Sequence, residues 1–458
     1  MLVDLATSHF ASLSANVPDV KVANFYVTAN PLSPTKTSYV TRPSISVKNT
    51  FPDGNSRGLF YQEGFYPDGF FAVAGTVLYK VGFDNSLTVL GTLPGTDKCK
   101  FSSTIYSICI VSDGDVYLYD GVAVTAVPTP DGVKISGTAA LNNYILLTVE
   151  DSVKFYWINP GELVIDPLSF ASAEYSADTL KTVSVISDEV WFHGANTTEV
   201  WAASGDANAP FQRIAGRVYN TGCIHKDAAA VCINQGSPAV AWVSDDKAVV
   251  LGQGLPSRIS NEYIEDVLKQ SSDFNLWFFR RHRNDFLVLT TDIKTVIFDF
   301  TSQGWYVWNS YLSDTWDAVY GIQINDLVWA CGRLRNSSLY SVNTSGPNQD
   351  DADFVIAEVT GWVETSSSKP TSCNNLNLGL NPGYGASYVS PPVVELRYSD
   401  DQGVTWSTYS QADIGVRGSA DTKTSFRSLG LIRQPGRRFE LRFSGTDSLR
   451  LDYLTMNE

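Results

Sequence analysis

Basic residues are scarce in this sequence: 33 Lys and Arg stand against 48 Asp and Glu, giving a formal net charge of −15. A surface that grips a phosphate backbone concentrates lysine and arginine, so the balance argues against a nucleic-acid-gripping protein. It is compatible with a wall that lets DNA pass without holding it, because acidic surfaces repel phosphates. Ordinary solubility explains the same charge. Long apolar runs are missing too. The longest, such as Tyr144 to Val149, have strand length, far below the ~20 residues that span a bilayer. The opening Met1-Leu2-Val3-Asp4 has no basic region followed by an apolar stretch, so neither a cleaved signal nor a spanning helix is expected.

The six cysteines (Cys99, Cys109, Cys223, Cys232, Cys331 and Cys373) form no C-x-x-C pair. Several sit in apolar runs such as Ser107-Ile108-Cys109-Ile110-Val111. They read as free buried thiols made in a reducing cytosol. The four histidines, His9, His193, His225 and His282, are scattered. No H-E-x-x-H, G-x-S-x-G, phosphate-binding loop or dinucleotide fingerprint appears. Acid-rich turns such as Asp113-Gly114-Asp115 lack a complete calcium loop and read as turn caps. We therefore expect no catalytic residues, no metal and no cofactor.

What the sequence does have is aromatic and β-branched strands: 43% of residues are hydrophobic and 12% aromatic, suited to pleated, half-buried surfaces. These strands recur. Seven units of strand, tight turn and aromatic-rich strand run from Gly69 to Asn343, with central positions near Tyr79, Leu118, Tyr156, Val200, Ala241, Ile297 and Leu339. The steps between them are 39, 38, 44, 41, 56 and 42, close to the ~40–45 residues of a four-stranded propeller blade except for one. The long step holds a stretch, 260–270, that reads as an inserted amphipathic helix with Ser260 as N-cap and Lys269 near its end. Small sheets cannot bury both faces alone, but stacking around an axis covers them. The expected fold is all-β: a β-propeller of six to eight blades, best counted as seven, over 61–345, followed by a C-terminal antiparallel β-sandwich over 350–458. Residues 1–60, rich in Ser, Thr, Asn and Pro, read as an extended arm plus strands leading into the repeats. Two uses fit them equally: docking on a neighbouring subunit, or closing the last blade.

Two features invite a site. Ser399, Asp401, Gly403, Thr405 and Trp406 match the Asp-box pattern S-x-D-x-G-x-T-W. In such a hairpin the carboxylate accepts turn amides, glycine takes the strained φ and tryptophan packs beneath. Sialidases carry several copies, so a carbohydrate-binding or glycan-degrading propeller is one alternative, although the single box here lies outside the repeats. A generic propeller scaffold for protein partners is another. The densest basic run, Arg280-Arg281-His282-Arg283, and a second group including Arg433, Arg437, Arg438 and Arg442 are candidates for phosphate contact or for subunit interfaces.

The order of features resembles the tail-hub, or packaged-DNA stabilisation, proteins of short-tailed bacteriophages. The resemblance lies in a Pro-containing N-terminal segment, the propeller units, and GQGLPSRISNEYIEDVLKQ (252–270) leading into NLWFFRRHRNDFLVLTTDIKTVIFDFTSQGWYVWNS. VELRYSDDQGVTWSTYSQ and FRSLGLIRQPGRRFELRFSG also resemble the family's closing domain. It covers most of the chain and is weakest over the first 60 residues. It implies a non-enzymatic virion protein of the tail, made in the host cytoplasm. By the same resemblance it forms a ring, typically hexameric, below the portal adaptor. Such a ring closes the DNA exit channel, docks a tail needle, tailspikes or fibres, and touches genomic DNA only transiently and non-specifically.

Overall fold

A computed structural model of the chain describes residues 1–10, 20–64, 67–176, 178–281, 283–332, 337–343, 349–350, 353–365, 369–380, 393–415, 423–445 and 448–457. His282, the polar linker at 344–348 and most of the Ser-, Gly- and Pro-rich loop before residue 393 fall outside them.

Seven four-stranded antiparallel arrays follow one another. Blade 1 is Ser56–Phe60, Gly69–Ala74, Val77–Gly82 and Leu87–Thr92, and blade 2 is Lys100–Ser103, Ile108–Ser112, Asp115–Tyr119 and Val124–Val127. Blade 3 is Ile135–Leu141, Tyr144–Val149, Lys154–Ile158 and Phe170–Ser172, and blade 4 is Leu180–Ile186, Glu189–Gly194, Thr198–Ala203 and Phe211–Tyr219. Blade 5 is Ala229–Asn234, Ser237–Val243, Val249–Gly252 and Ser257–Arg258, and blade 6 is Phe274–Arg281, Asn284–Thr291, Thr295–Asp299 and Gly304–Trp308. Blade 7 takes Ala318–Ile324, Leu327–Gly332 and Ser338–Asn343, and its fourth strand is Ser44–Thr50, from the N-terminal part of the chain. The closing strand thus comes from the leading segment, which joins the two ends of the ring by ladder hydrogen bonds.

The turns follow from local chemistry. Asp113-Gly114, Asn142-Asn143 and Gln235-Gly236 have positive φ at both positions, as two-residue type I′ hairpins require. Between blades the apolar faces meet in successive clusters. Phe71, Val73, Ile108 and Ile110 join blades 1 and 2; Cys109, Leu118, Ile145 and Leu147 join blades 2 and 3; and Phe155, Trp157, Phe192 and Trp201 join blades 3 and 4. All six cysteines are buried free thiols, and burial pushes Cys109 and Cys331 up to about 12.

The repeat count stands, but its phase slips once. Tyr79, Leu118, Tyr156, Val200, Ile297 and Leu339 lie on third strands, whereas Ala241 lies on the second strand of blade 5. The uneven steps around Ala241 come from this slip as well as from the helix, Glu262–Gln270. That helix is capped one residue later than expected: Asn261 Oδ1 accepts the Ile264 amide at 3.0 Å. Ser260 instead accepts the Val249 amide at 3.1 Å and donates to Glu265 at 2.9 Å, tying the helix to blade 5.

Blade 6 does not end at its fourth strand. Gly304–Trp308 pairs in parallel with Val22–Ala23, and the sheet runs on through Asp353–Glu364, Gly436–Gly445, Val393–Ser399 and Ser410–Asp413. A second sheet contains Phe25–Ala29, Thr37–Thr41, Arg450–Met456, Asn375–Leu380 and Ser425–Arg427. Phe25, Tyr39, Leu376 and Leu454 from the second sheet share one core with Val359, Leu441 and Leu396 from the first, and with blades 6 and 7. Among the described residues of this leading segment, Asp4–Leu5, Val22–Ala23, Phe25–Ala29 and Thr37–Thr41 are strands of these two sheets. Arg42, fully buried, locks the seam: its guanidinium donates to both oxygens of Asp350 at 2.6 and 3.1 Å, to Asn24 at 3.0 Å and to the Asn309 carbonyl at 2.9 Å.

Candidate functional site at the propeller axis

Alternating antiparallel strands sort the loops to two ends of the axis. The connectors between blades, and the turns from second to third strands, emerge at one end, here the connector face. The turns from first to second and from third to fourth strands emerge at the other, the turn face.

At the centre of the connector face lies a cavity of about 550 Å³, lined by residues such as Asp97, Lys98, Glu150, Lys181, His225 and Asp227. Two connectors on opposite sides of the ring meet there. The first, between blades 1 and 2, is held by Arg57. Its guanidinium donates to the carbonyls of Asp97 at 2.7 Å, Gly75 at 3.0 Å and Leu93 at 3.2 Å. Asp113 accepts the amides of Thr96 and Asp97 at 3.0 and 2.7 Å. The second connector, between blades 4 and 5, is fixed by the Gly222 amide donating to Asp245 at 3.0 Å, and by Trp242 Nε1 donating to the Gly222 carbonyl at 3.0 Å.

Across the axis Lys226 Nζ meets Asp97 at 2.8 Å, and Lys100 Nζ meets Asp227 at 2.6 Å while also donating to the Lys226 carbonyl. Lys98 stands 3.9 Å from Asp227, donates to Asn275 of blade 6 at 3.1 Å, and lies 4.9 Å from the Tyr320 ring centre in blade 7. Burial pushes Lys98 down to about 8, against the attraction of Asp227. Burial by itself would raise the Asp227 carboxyl, but Lys100 and Lys98 outweigh it and hold the group well below the usual carboxylate range. Burial likewise lowers His225, which lies 3.8 Å from Asp227. Lys98, Lys100, Lys181 and Lys226 each have a carboxylate within 4 Å. The cluster is thus a cross-axis clasp, with its cations already engaged.

Sequence comparison decides the family. Its description is bacteriophage P22 Gp10, β-propeller, and its profile matches residues 18–346, a span holding all seven blades. The chain belongs to this family. It is accordingly a structural protein of the bacteriophage virion, and it assembles with other virion components. No curated protein sequence gives a significant match. Among solved structures, the Pan2 WD40 domain of Neurospora crassa is similar at 8% identity, covering 66% of this chain and 95% of that one, with a TM-score of 0.43. PorZ of Porphyromonas gingivalis is 13% identical, covering 79% and 46%, at 0.38. The designed protein Ika8 is 7% identical, covering 66% and 99%, at 0.43.

The site residues singled out from the sequence lie away from the clasp of this phage-family propeller. The Asp-box residues occupy the turn after Val393–Ser399. Asp401 accepts the Thr405 amide at 2.8 Å and the Ser399 hydroxyl at 2.7 Å, and Trp406 Nε1 donates to the Gly403 carbonyl at 3.0 Å. Gly403 has φ +99°. The hydroxyl and amide of Thr405, with Ser399, hold the Asp401 carboxyl down at about 2.

The arginines do not form a common basic surface. Arg280 pairs with Asp285 at 3.1 Å, and Arg281 is buried over the Tyr26 ring; Arg283 is exposed at the turn. Arg437 is only 3% exposed, pairs with Asp400 at 2.6 Å and lies 4.0 Å from the Tyr398 ring centre. Arg438, also buried, donates to Gln402 at 3.2 Å. Arg281, Arg437 and Arg438 are therefore internal fasteners, and a phosphate would have to displace their partners. Sequence reasoning missed Lys98, Lys100, Lys226 and Asp227, because a clasp assembled from separate connectors has no local spacing to find.

Proposed function

We propose that this chain is a tail hub: a subunit of a ring, hexameric by resemblance, below the portal adaptor of a short-tailed phage. The ring helps close the DNA exit channel and offers surfaces to the tail needle, tailspikes or fibres. Subunits are made in the host cytoplasm and end in the tail of the particle. The observation that carries this reading is the family match over 18–346, joined by the C-terminal segments noted above. The charge of −15 supports it, since a conduit wall that repels phosphates lets the genome slide; contact with DNA is then transient and non-specific. In this reading the propeller is the body of the subunit, and residues 350–458, whose strands continue the blade 6 sheet, close it. Among the described residues no helix is long and apolar enough to cross a membrane.

Phage made without this chain provide the test. Heads should fill and then lose their DNA, so that purified particles are mostly empty and carry neither needle nor fibres. Particles that stay full, or that lose only glycan-processing activity, would overturn the assignment.

A further inference from the structure

The two ends of the propeller differ in chemistry, and the turn face of blades 2 and 3 carries exposed apolar side chains. On blade 3 the connection between third and fourth strands, residues 159–169, is a long excursion that exposes Leu163, Val164 and Leu168, the last two at 60% and 83%. Beside it the first turn of blade 2 exposes Ile105 at 68% and also Tyr106. The two loops are neighbours: a side chain placed at Gly161 would meet the Tyr106 ring. Exposed apolar side chains gathered on two neighbouring loops mark an interaction site more often than isolated ones do.

The excursion is also held in shape without a partner. The Glu162 amide donates to the Asn159 carbonyl at 3.1 Å, and Asn159 Nδ2 donates to Glu162 at 3.1 Å. Asp166 accepts the Leu168 amide at 2.9 Å through its side chain, and its carbonyl accepts the Ser169 amide at 2.9 Å. A pre-shaped loop loses little freedom on binding.

Charge identifies the occupant. The turn-face loops of blades 2 and 3 (104–107, 120–123, 142–143 and 159–169) carry Asp120, Glu162 and Asp166, and no lysine or arginine. DNA is repelled by such a surface. A second copy of this chain is a poor match, since its net charge is −15 and its densest basic run is already partly engaged by Asp285 and Tyr26. We infer that the turn face of blades 2 and 3 docks a basic segment of another virion protein, whose apolar side chains seat against Leu168, Val164, Ile105 and Tyr106. This inference needs only a protein partner in the particle, and it does not depend on the ring or its position.

The test uses assembled phage carrying Leu168→p-benzoylphenylalanine, with Ile105→p-benzoylphenylalanine as an independent second position. After irradiation the crosslinked peptide is sequenced. The expected product is a segment of a different virion protein in which an apolar residue lies within a few positions of two or more Lys or Arg. Adding Glu162→Lys should cut the yield at least fivefold. The inference is overturned by a crosslink to a second copy of this chain, by a crosslink to an acidic or uncharged segment, by a DNA adduct, or by no crosslink from either position in intact particles. The deletion test decides the hub reading without touching this result: empty particles support that reading and full ones sink it.

Discussion

The two ends of the propeller share one strand scaffold yet solve opposite problems. At the connector face, lysines and carboxylates from opposed connectors meet across the axis, with Lys100–Asp227 at 2.6 Å and Lys226–Asp97 at 2.8 Å. At the turn face of blades 2 and 3, apolar side chains and acids are left facing solvent. A propeller blade fixes where a turn emerges but leaves the turn's chemistry free. One end can therefore be spent on holding the ring together and the other kept for a partner. Partly buried charges with close counter-charges are costly to unpair, whereas an exposed apolar residue contributes little to the fold that bears it.

The comparison breaks most visibly at Asp227. Asp227→Ala leaves the Lys98 and Lys100 ammonium groups without their main carboxylate. Breaking a buried pair from one side costs about 3–5 kcal/mol, so urea unfolding should show a loss of that order. A loss under about 1 kcal/mol would mean that the clasp is solvated and ornamental. The pH dependence sharpens the same point. Lys100 and Lys98 hold the Asp227 carboxyl below its ordinary value despite burial. Its stabilisation is therefore fully present above the unfolded carboxylate value of about 3.9 and is lost as pH falls through the folded value. Asp227→Asn should flatten the acid limb of the stability curve. Lys98 acts in the other direction: burial has lowered it to about 8, so the fold disfavours its charged form. Stability should rise with pH from about 8 towards the free lysine value of about 10.4, and Lys98→Met should remove that rise.

Much of this fold was legible because it rests on local repetition. The strand and turn rhythm from Gly69 to Asn343 gives seven units, and the blades follow it. Ala241 shows where local reading slips: AAVCIN and AVAWVS look like the strand pairs of other blades, yet they are the first and second strands rather than the second and third. Innermost strands such as Ser56–Phe60 and Lys100–Ser103 are short and less apolar, so a search for hydrophobic strands passes over them. The closing role of Ser44–Thr50 was one of two readings, because pairing across 288 to 299 residues leaves no mark in the strand's own composition. The burial of Arg281 and Arg437 was illegible for the same reason. Exposure depends on what packs above, and Tyr26 and Asp400 come from distant segments to cover Arg281 and Arg437. The Asp-box, by contrast, takes its shape from local bonds: Ser399, Asp401, Gly403 and Thr405 bond one another within the turn, although Asp400 and Gln402 of the same turn also hold Arg437 and Arg438.

Smaller effects test the turn face. Val164→Ser with Leu168→Ser should leave stability within about 0.5 kcal/mol of the parent, measured in the same urea titration, because both side chains are mostly solvated already. A loss as large as that of Asp227→Ala would show that the excursion belongs to the core, and the contrast between the two ends would vanish.

The smallest global effect is expected at the Asp-box, a third kind of loop that is neither clasp nor docking surface. Asp401 is exposed and binds only its own turn through Thr405 and Ser399. Asp401→Asn keeps the shape of the group but removes the charge that makes these bonds strong. The urea midpoint should stay unchanged while the Thr405 amide exchanges its hydrogen faster, since the opening is confined to the hairpin. In the parent, these bonds hold the Asp401 carboxyl at about 2, so the slow exchange should persist above the usual carboxylate value and fade as pH falls through about 2. Uniform acceleration across the neighbouring strands Gly436–Gly445 and Asp353–Glu364 would instead mean that this turn anchors the sheet continuing blade 6, and that local motif geometry supports long-range pairing there.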